Sequence, residues 1–398
     1  MSLMPVSEAL SRILTLLSPV GHEIVPITAA GGRILAQPVI ARRTQPPFPA
    51  SSMDGYAMRA SEASPGATSE VIGEAAAGHP FDGEVAPGQC VRIFTGAPVP
   101  EPLDRVVIQE DVTREGDQIT LSANLDPQMY VRRAGLDFAE GTTLLDAPRR
   151  LTPENIALIA AAGVPFVTVH RKPRIALLAT GDELALPGDV TGPGGIVSSN
   201  NFGLAALIEN LGAKAEILPI AADTVDSLRS LAEMGAQVDL FVTLGGASVG
   251  DHDLIRPALK DIGLELDLYK IAMRPGKPFM AGKLGTTPML GLPGNPVSAM
   301  VCGRLFLAPA VEGMMGLPPS EPKTHTAVLG CDLGKNGPRE HYMRSRVTLE
   351  NGVLTCVPFD SQDSSRLALL SESNALAIRP IGAPEAKAGD PIQVMLLE

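Results

Sequence analysis

Three turns rich in glycine and polar residues follow short apolar runs in the second half of the chain. Each run is typical of a strand in an open α/β sheet, where the ligand crevice lies beyond the carboxyl ends of the strands. The sequence therefore predicts that the three turns converge on one crevice. They read Thr180-Gly181-Asp182-Glu183, Gly245-Gly246-Ala247-Ser248-Val249-Gly250-Asp251-His252-Asp253 and Pro293-Gly294-Asn295-Pro296-Val297-Ser298.

The second and third turns have features of anion sites. Asn295 suits an N-cap and Pro296 suits the first helical position, so the following helix would present unpaired amides and its positive dipole end. A well-capped helix without a ligand explains the same residues. The glycines of the second turn allow a phosphate to approach the backbone, although this turn lacks the Lys-Ser/Thr ending of a P-loop.

Charged side chains lie in and between these turns. The carboxylates of Asp182, Glu183, Asp251 and Asp253 would be compatible with bound phosphate if a divalent cation such as Mg²⁺ lay between them. Solvated turn residues or helix caps are the alternative interpretation. The stiff turn Arg274-Pro275-Gly276-Lys277 could bind a second oxyanion, or it could be a surface hairpin tip.

Other chemistries find little support in the sequence. The 6 histidines show no metal-ligand spacing, and the 4 cysteines form no C-x-x-C pair, which argues against zinc sites and a disulfide framework. The formal net charge of −12 argues against nucleic-acid binding. The longest apolar run, residues 156–169, is too short to span a bilayer, so we expect a cytoplasmic protein without a membrane anchor.

The elements that must position these turns change along the chain. An amphipathic helix opens the sequence, and a second helix is predicted from Thr152-Pro153 to Gly163. Short alternating strands fill residues 51–133, strands and helices alternate from Arg174, and short strands return after residue 319. The expected fold is a multidomain α/β protein: two helices that pack together, a small all-β module, a parallel, doubly wound α/β domain and a C-terminal β-barrel or sandwich.

Seven motifs in register resemble those of the molybdopterin molybdenumtransferase (MoeA) family, which includes the E domain of gephyrin. The resemblance extends from about residue 5 to the C-terminus, where Ala388-Gly389-Asp390 begins a last fitting segment. The motifs are MDGYA (from Met53), TGAPVP (from Thr95), RRAGLD (from Arg132), TGDEL (from Thr180), TLGGASVGDHD (from Thr243), RPGKPFMAGKL (from Arg274) and LGLPGNPVSA (from Leu290).

The resemblance implies a four-part subunit and a homodimer in which the β-rich insertion of one subunit faces the α/β crevice of the other. We assign residues 1–45 and 134–172 to the helical linker region, 46–133 to the β-rich insertion, 173–317 to the molybdopterin-binding α/β domain and 318–398 to the C-terminal β-barrel. Transient contacts with other molybdenum cofactor biosynthesis proteins are also expected.

The implied reaction inserts molybdate into adenylylated molybdopterin and releases AMP with the assistance of Mg²⁺. The family's functional polar residues correspond to Asp54, Thr95, Asp137, Glu183 and Asp253, with Glu183 and Asp253 as the predicted metal ligands. Arg274 stands where the family often has lysine. The predicted molybdopterin contacts are Thr180, Gly181, Asp182, Gly245, Gly246, Ser248, Gly250, Arg274, Lys277, Pro293, Gly294, Asn295, Pro296 and Ser298.

Two other functions use similar modules. Adenylylation of molybdopterin would use the same α/β module, but that activity needs neither the MDGYA insertion nor the C-terminal barrel. A non-catalytic scaffold like gephyrin would need an attached second module. The sequence favours the metal-insertion enzyme over both.

Overall fold

The computed structural model describes residues 3–245, 255–318 and 320–397, and the chain divides into two compact units. The large unit comprises residues 1–23, 32–36 and 169–398, and the small unit comprises residues 24–31 and 37–168. The division into four regions given above is finer than these units and stays a prediction.

The helices of the described residues are α1 (Val6–Leu16), α2 (Pro153–Ala161), α3 (Asn200–Asn210), α4 (Val225–Gly235), α5 (Ile255–Lys260), α6 (Pro296–Cys302), α7 (Ala308–Met314) and α8 (Leu367–Glu372). One π-helical turn, Gly303–Leu307, joins α6 to α7.

The strands before the second half of the chain are β1 (His22–Pro26), β2 (Ile34–Leu35), β3 (Val39–Ile40), β4 (Ala50–Ser51), β5 (Gly55–Met58), β6 (Thr68–Ala75), β7 (Gln89–Ile93), β8 (Arg105–Ile108), β9 (Val112–Glu115), β10 (Gln118–Leu121), β11 (Val131–Arg132), β12 (Thr143–Leu145), β13 (Arg149–Arg150) and β14 (Phe166–His170). Those that follow are β15 (Arg174–Ala179), β16 (Leu184–Ala185), β17 (Ile196–Val197), β18 (Lys214–Ile217), β19 (Leu240–Leu244), β20 (Leu264–Tyr269), β21 (Met273–Arg274), β22 (Met280–Leu284), β23 (Thr287–Leu292), β24 (His325–Leu329), β25 (Glu340–Glu350), β26 (Val353–Pro358), β27 (Ala375–Arg379) and β28 (Pro391–Leu396).

The central sheet of the large unit has the strand order β18-β15-β19-β23-β22-β20. The first four strands are parallel as predicted, whereas β22 and β20 are antiparallel to their neighbours, so the sheet is mixed. Alternate residues of β15 enter two different cores. Ile175 and Leu177 pack with α3 and α6, while Ala176 and Leu178 pack with α4 and α5. Because helices cover both faces, the strand is apolar almost throughout.

The C-terminal strands close into a barrel, because β25, β26, β24, β28 and β27 pair in that order and β27 pairs again with β25. The short strand β21 joins this sheet by pairing in parallel with β25, which sets Arg274 opposite His341. The turn Arg274-Pro275-Gly276-Lys277, which we call the basic turn, is thereby fixed next to the start of β25.

The small unit contains a six-stranded sheet of order β8-β5-β7-β6-β10-β9, which confirms the expectation of short strands in this part of the chain. Its helix α2 begins as predicted. Thr152 Oγ1 accepts a hydrogen bond from Asn155 N at 3.3 Å, and Asn155 Oδ1 accepts one from Thr152 N at 3.2 Å. Pro153 occupies the first turn, and Gly163 follows the helix with φ +73°.

One helical stretch of the described residues, Pro296–Met314, is long and apolar enough to cross a membrane by length and composition. It includes α6, the π-helical turn and α7. Of its most apolar window, 72% is buried inside the protein, as expected for a core helix of a folded unit. It is therefore weak evidence for a membrane span.

Candidate functional site

A cavity of about 1050 Å³ lies in the large unit at the carboxyl ends of β15, β19 and β23. We call it the main cavity. Its sheet wall contains the described parts of the three strand-end turns, and its barrel wall contains Arg339 and residues 362–365. The predicted site residues that line it are Thr180, Gly181, Glu183, Gly245, Arg274, Lys277, Pro293, Gly294, Asn295, Pro296 and Ser298.

Other predicted site residues of the α/β domain are not among the described residues that line the main cavity. Asp182 does not line the main cavity. Gly246, Ser248, Gly250 and Asp253 lie outside the described residues.

Backbone contacts hold the sheet wall together. Thr180 N donates to Leu244 O at 3.2 Å, and Gly245 N donates to Leu292 O at 3.1 Å, so strand-to-strand bonding continues into the turns. Gly245 has φ +92°, a conformation that favours glycine. A Cβ added to Gly294 would lie 3.2 Å from the Cα of Gly245, so a side chain at position 294 would push the two turns slightly apart.

The first turn forms hydrogen bonds with a carboxylate that sequence reasoning missed. Thr180 Oγ1 donates to Asp223 Oδ1 at 3.1 Å, and Asp223 N donates to Asp182 Oδ1 at 3.0 Å. Asp223 lines the main cavity, whereas the Asp182 carboxylate supports the loop that carries it. The Glu183 carboxylate lies close to Gly181. A Cβ on that glycine would be 2.5 Å from Glu183 Oε2.

The third turn differs from expectation in its cap. Asn295 occupies the N-cap position of α6, but its side chain makes no capping hydrogen bond. The prediction that this side chain caps the helix is therefore wrong. Val297 N instead donates to Ser364 O of the barrel wall at 3.2 Å, so the protein itself uses one of the amides that we expected to be free. Asn200 Nδ2 donates to Gly294 O at 2.7 Å and supports the turn from α3.

Charges of both signs line the main cavity. Arg274 and Lys277 from the basic turn are joined by Arg339, which precedes β25. The described acidic residues of the lining are Glu183, Asp223 and Asp363. No group of three potential metal ligands from His, Cys, Asp and Glu occurs within the described ranges.

Side-chain hydrogen bonds hold the barrel wall. Gln362 Oε1 accepts from Arg344 N at 2.9 Å, and its Nε2 donates to Arg344 O at 3.0 Å. Asp363 Oδ1 accepts from the amide and hydroxyl of Ser365 at 2.8 and 2.7 Å, which lowers the carboxyl pKa below its ordinary value. Sequence reasoning missed this wall because it inspected only the α/β strand ends. The Asp363-Ser364-Ser365 run after a predicted strand was the available signal.

In the small unit, the structure brings two predicted residues together. Asp54 Oδ1 accepts hydrogen bonds from the amide and the hydroxyl of Thr95, both at 2.8 Å. The amide bond, followed by the hydroxyl bond, holds the Asp54 pKa below its ordinary value. The nearby Arg92 guanidinium lies 4.8 Å from the ring centroid of Phe94. Asp137 is exposed, and its amide donates to Gln45 O at 3.0 Å.

Comparisons with known proteins cover nearly the whole chain. Three family models match: the MoeA N-terminal region (domain I and II) at residues 4–163, a probable molybdopterin binding domain at 176–313, and the MoeA C-terminal region (domain IV) at 326–397. The chain is 35% identical to a molybdopterin molybdenumtransferase from Nostoc sp., over 94% of this chain and 88% of that protein. It is 32% identical to one from Haemophilus influenzae, over 98% of both.

Solved structures agree with these sequence matches. Two crystal structures of a molybdopterin biosynthesis MoeA protein from Pyrococcus horikoshii match with TM-scores of 0.85 and 0.84 at 29% and 26% identity. They cover 100% and 99% of this chain, and the matches span 100% of both solved chains. The likeness includes the central sheet and the C-terminal barrel that form the two walls of the main cavity.

Proposed function

The chain belongs to the MoeA family, and from that premise we propose that it is a molybdopterin molybdenumtransferase. It inserts the molybdenum of molybdate into adenylylated molybdopterin and releases AMP, as a step of molybdenum cofactor biosynthesis. The observation that carries the proposal is the main cavity, which lies at the carboxyl edge of an α/β sheet and is lined by three cationic and three acidic described residues. That edge is where open α/β sheets bind their ligands.

The cations have the chemistry that oxyanions require. Arg274, Lys277 and Arg339 line the cavity and can donate hydrogen bonds to the oxygens of molybdate or phosphate. Arginine offers two parallel donors, so Arg274 retains the positive charge that a lysine would supply and adds a planar contact. Gly245 and Gly294 keep the turns free of side chains, so that a phosphate can approach the backbone.

The acidic residues fit an Mg²⁺ ion by their donor chemistry. Magnesium binds oxygen ligands and needs only one or two carboxylates besides water and substrate phosphates. Glu183 supplies one such carboxylate on the cavity wall, and we propose Asp253 as a second. When bound, Mg²⁺ would neutralise the charge on the phosphates of the substrate. The Asp182 carboxylate orients Asp223 through the backbone amide of that residue.

The small unit supplies the remaining proposed functional residues. The described residues that line the main cavity all belong to the large unit. We propose that Asp54, Thr95 and Asp137 act in a homodimer, where each subunit contributes them to the site of its partner. Hydrogen bonds from Thr95 keep Asp54 ionised, so it can accept a hydrogen bond from a ligand. Light scattering at micromolar concentration should report about twice the chain mass of 41.5 kDa.

We further propose a cytoplasmic location and transient contact with other proteins of molybdenum cofactor biosynthesis. All 4 cysteines are free thiols, and Cys90, Cys302 and Cys356 are buried. Free thiols are typical of a reducing compartment. The four-region division of the subunit is part of the same proposal.

The deciding experiment measures AMP release. Purified protein is incubated with adenylylated molybdopterin and Mg²⁺, with and without molybdate. We expect AMP to appear only when molybdate is present, together with molybdenum bound to the pterin. A parallel incubation contains molybdopterin, ATP and Mg²⁺. Formation of adenylylated molybdopterin there, without molybdate-dependent AMP release in the first incubation, would instead identify an adenylyltransferase. Omission of Mg²⁺ tests the metal requirement separately.

A further inference from the structure

A second cavity of about 470 Å³ lies in the large unit between α3, the α6 end and α8. Aliphatic side chains form much of its wall, among them Met300, Leu367 and Leu370. Ser199 and Asn200 line both this cavity and the main cavity, so the two cavities are neighbours. We call it the Arg304 cavity, after the single charged residue among its described lining residues.

Arg304 lies in the π-helical turn Gly303–Leu307 and is partly buried. Its guanidinium makes no hydrogen bond or ion pair with any described residue, and no acidic residue is part of the described lining. Burial lowers the pKa of its guanidinium below the ordinary value. A partly desolvated cation without a partner is unfavourable, and π-helical turns are frequent at functional sites.

Arg344 in the same unit shows how a structural arginine is accommodated. Its side chain is 1% exposed, and it donates to Arg366 O at 3.1 Å and to Ser361 O at 3.2 Å. The protein's own carbonyl oxygens thus satisfy that guanidinium. Among the described residues, Arg304 has no such partner and faces a cavity instead, so its guanidinium is available to an anion from solution.

We infer that the Arg304 cavity binds a small organic anion with one acidic group on an apolar body. The guanidinium pairs with the carboxylate, phosphate or sulfonate group, and the aliphatic wall packs against the body. A volume of about 470 Å³ suits a small molecule. One cation matches one anionic group, and the aliphatic wall distinguishes such a ligand from an inorganic ion.

The position of this cavity links it to the turn at residues 293–298. Asn200 lines the Arg304 cavity and donates from Nδ2 to Gly294 O at 2.7 Å. A ligand in the Arg304 cavity would therefore lie close to the Asn200 side chain, which supports a turn of the main cavity. The inference does not rest on the reaction proposed above, because it follows from Arg304 and its cavity alone.

The test is calorimetric titration of the intact protein with 4-phenylbutyrate, which carries one carboxylate on an apolar body. The neutral isostere 4-phenylbutan-1-ol and inorganic phosphate are the comparison probes. We expect 4-phenylbutyrate to bind at least about tenfold more tightly than either, since the alcohol lacks the charge-assisted hydrogen bond and phosphate lacks the apolar body. Failure of 4-phenylbutyrate to bind, or equal binding of all three probes, overturns the inference.

Variants assign the site. Arg304→Met retains an apolar side chain and removes the charge, so it should fold with an unchanged or higher melting temperature and weaken 4-phenylbutyrate binding about tenfold or more. Lys277→Met removes a cation of the main cavity and should leave this affinity unchanged. The reverse pattern would place the anion in the main cavity and overturn the inference. Ser371→Phe narrows the cavity without altering charge and should also weaken binding, which keeps the test decisive if Arg304→Met does not fold.

Discussion

The two walls of the main cavity are positioned by different parts of the chain. In the sheet wall, backbone bonds such as Gly245 N to Leu292 O fix the turns, and side chains are absent where the turns meet. In the barrel wall, the side chains of Gln362 and Asp363 hold the loop. The sheet wall should therefore be sensitive to added volume, and the barrel wall to lost polar groups and to pH.

The largest expected effect is on catalysis at the sheet wall. Glu183→Gln retains the shape of the side chain but removes the charge proposed to bind Mg²⁺, so molybdate-dependent AMP release should fall about a hundredfold. The melting temperature should stay near that of the wild type, because Glu183 is exposed. Asp182→Asn, at a neighbouring carboxylate that does not line the cavity, is the matched control and should lose less activity. Equal loss in both variants would contradict the assigned roles.

The next effect concerns pH at the start of β25, next to Arg339 of the barrel wall. His341 is 8% exposed and is set opposite Arg274, and burial, followed by the charges of Arg274, Arg339 and Arg344, lowers its pKa from 6.5 to about 4. Between these pH values the unfolded chain binds a proton that the folded chain does not bind. The free energy of unfolding should therefore fall as pH decreases from 6.5 to about 4, by about 3 kcal/mol for this group alone.

Urea unfolding at several pH values measures this slope. In His341→Leu, the part of the slope between pH 6.5 and about 4 that comes from this residue should disappear. His325→Leu changes an exposed histidine on β24 and should leave the slope unchanged. A wild-type slope in His341→Leu would show that other groups govern the acid sensitivity of the large unit.

Added volume should damage the sheet wall. Valine at position 294 would bring a branched side chain against the Gly245 Cα, which is 3.2 Å from the added Cβ. Gly294→Val should therefore destabilise the protein by about 1–3 kcal/mol and weaken binding of a molybdopterin-type ligand. Gly192→Val is the matched control, since no heavy atom lies within 4 Å of a Cβ there. Normal ligand affinity in Gly294→Val would show that the ligand does not approach this turn.

Loss of the side-chain amide of Gln362 should destabilise the barrel wall. Gln362 bonds to both the N and the O of Arg344, and its Nε2 also donates to Phe359 O at 2.8 Å. Gln362→Ala should lower the free energy of unfolding by about 1–2 kcal/mol because buried backbone groups lose their partners. Gln393→Ala removes a single exposed bond to Thr326 and should cost less. If the two variants are equally stable, the barrel wall does not depend on its side-chain bonds.

The contrast between the walls also explains what the sequence could predict. Strand-end turns of the sheet wall follow apolar runs that cover several consecutive residues, as in Leu240–Leu244, so their common location followed from a general rule for α/β sheets. The barrel wall depends on the register of β21 with β25, which sets Arg274 opposite His341. Such a pairing between distant segments has no local signal, and for this reason Arg339 was missed. Residues 363–365 did offer a local signal, but the rule for α/β strand ends does not cover a polar run after a barrel strand.

The smallest expected effect is at Asn295, and it tests whether this side chain stabilises α6 or only occupies the N-cap position. Asn295 has the residue type and place of an N-cap, yet its side chain makes no capping bond, and the amide of Val297 is bonded to Ser364 O instead. Asn295→Ala should therefore cost less than about 0.5 kcal/mol, whereas Thr152→Ala, which removes the capping box of α2, should cost about 1 kcal/mol. Chemical denaturation of both variants measures the difference. Because Asn295 still lines the main cavity, reduced ligand affinity with unchanged stability would assign its amide to the ligand. A loss of stability equal to that of Thr152→Ala would instead restore the capping role that the sequence predicted.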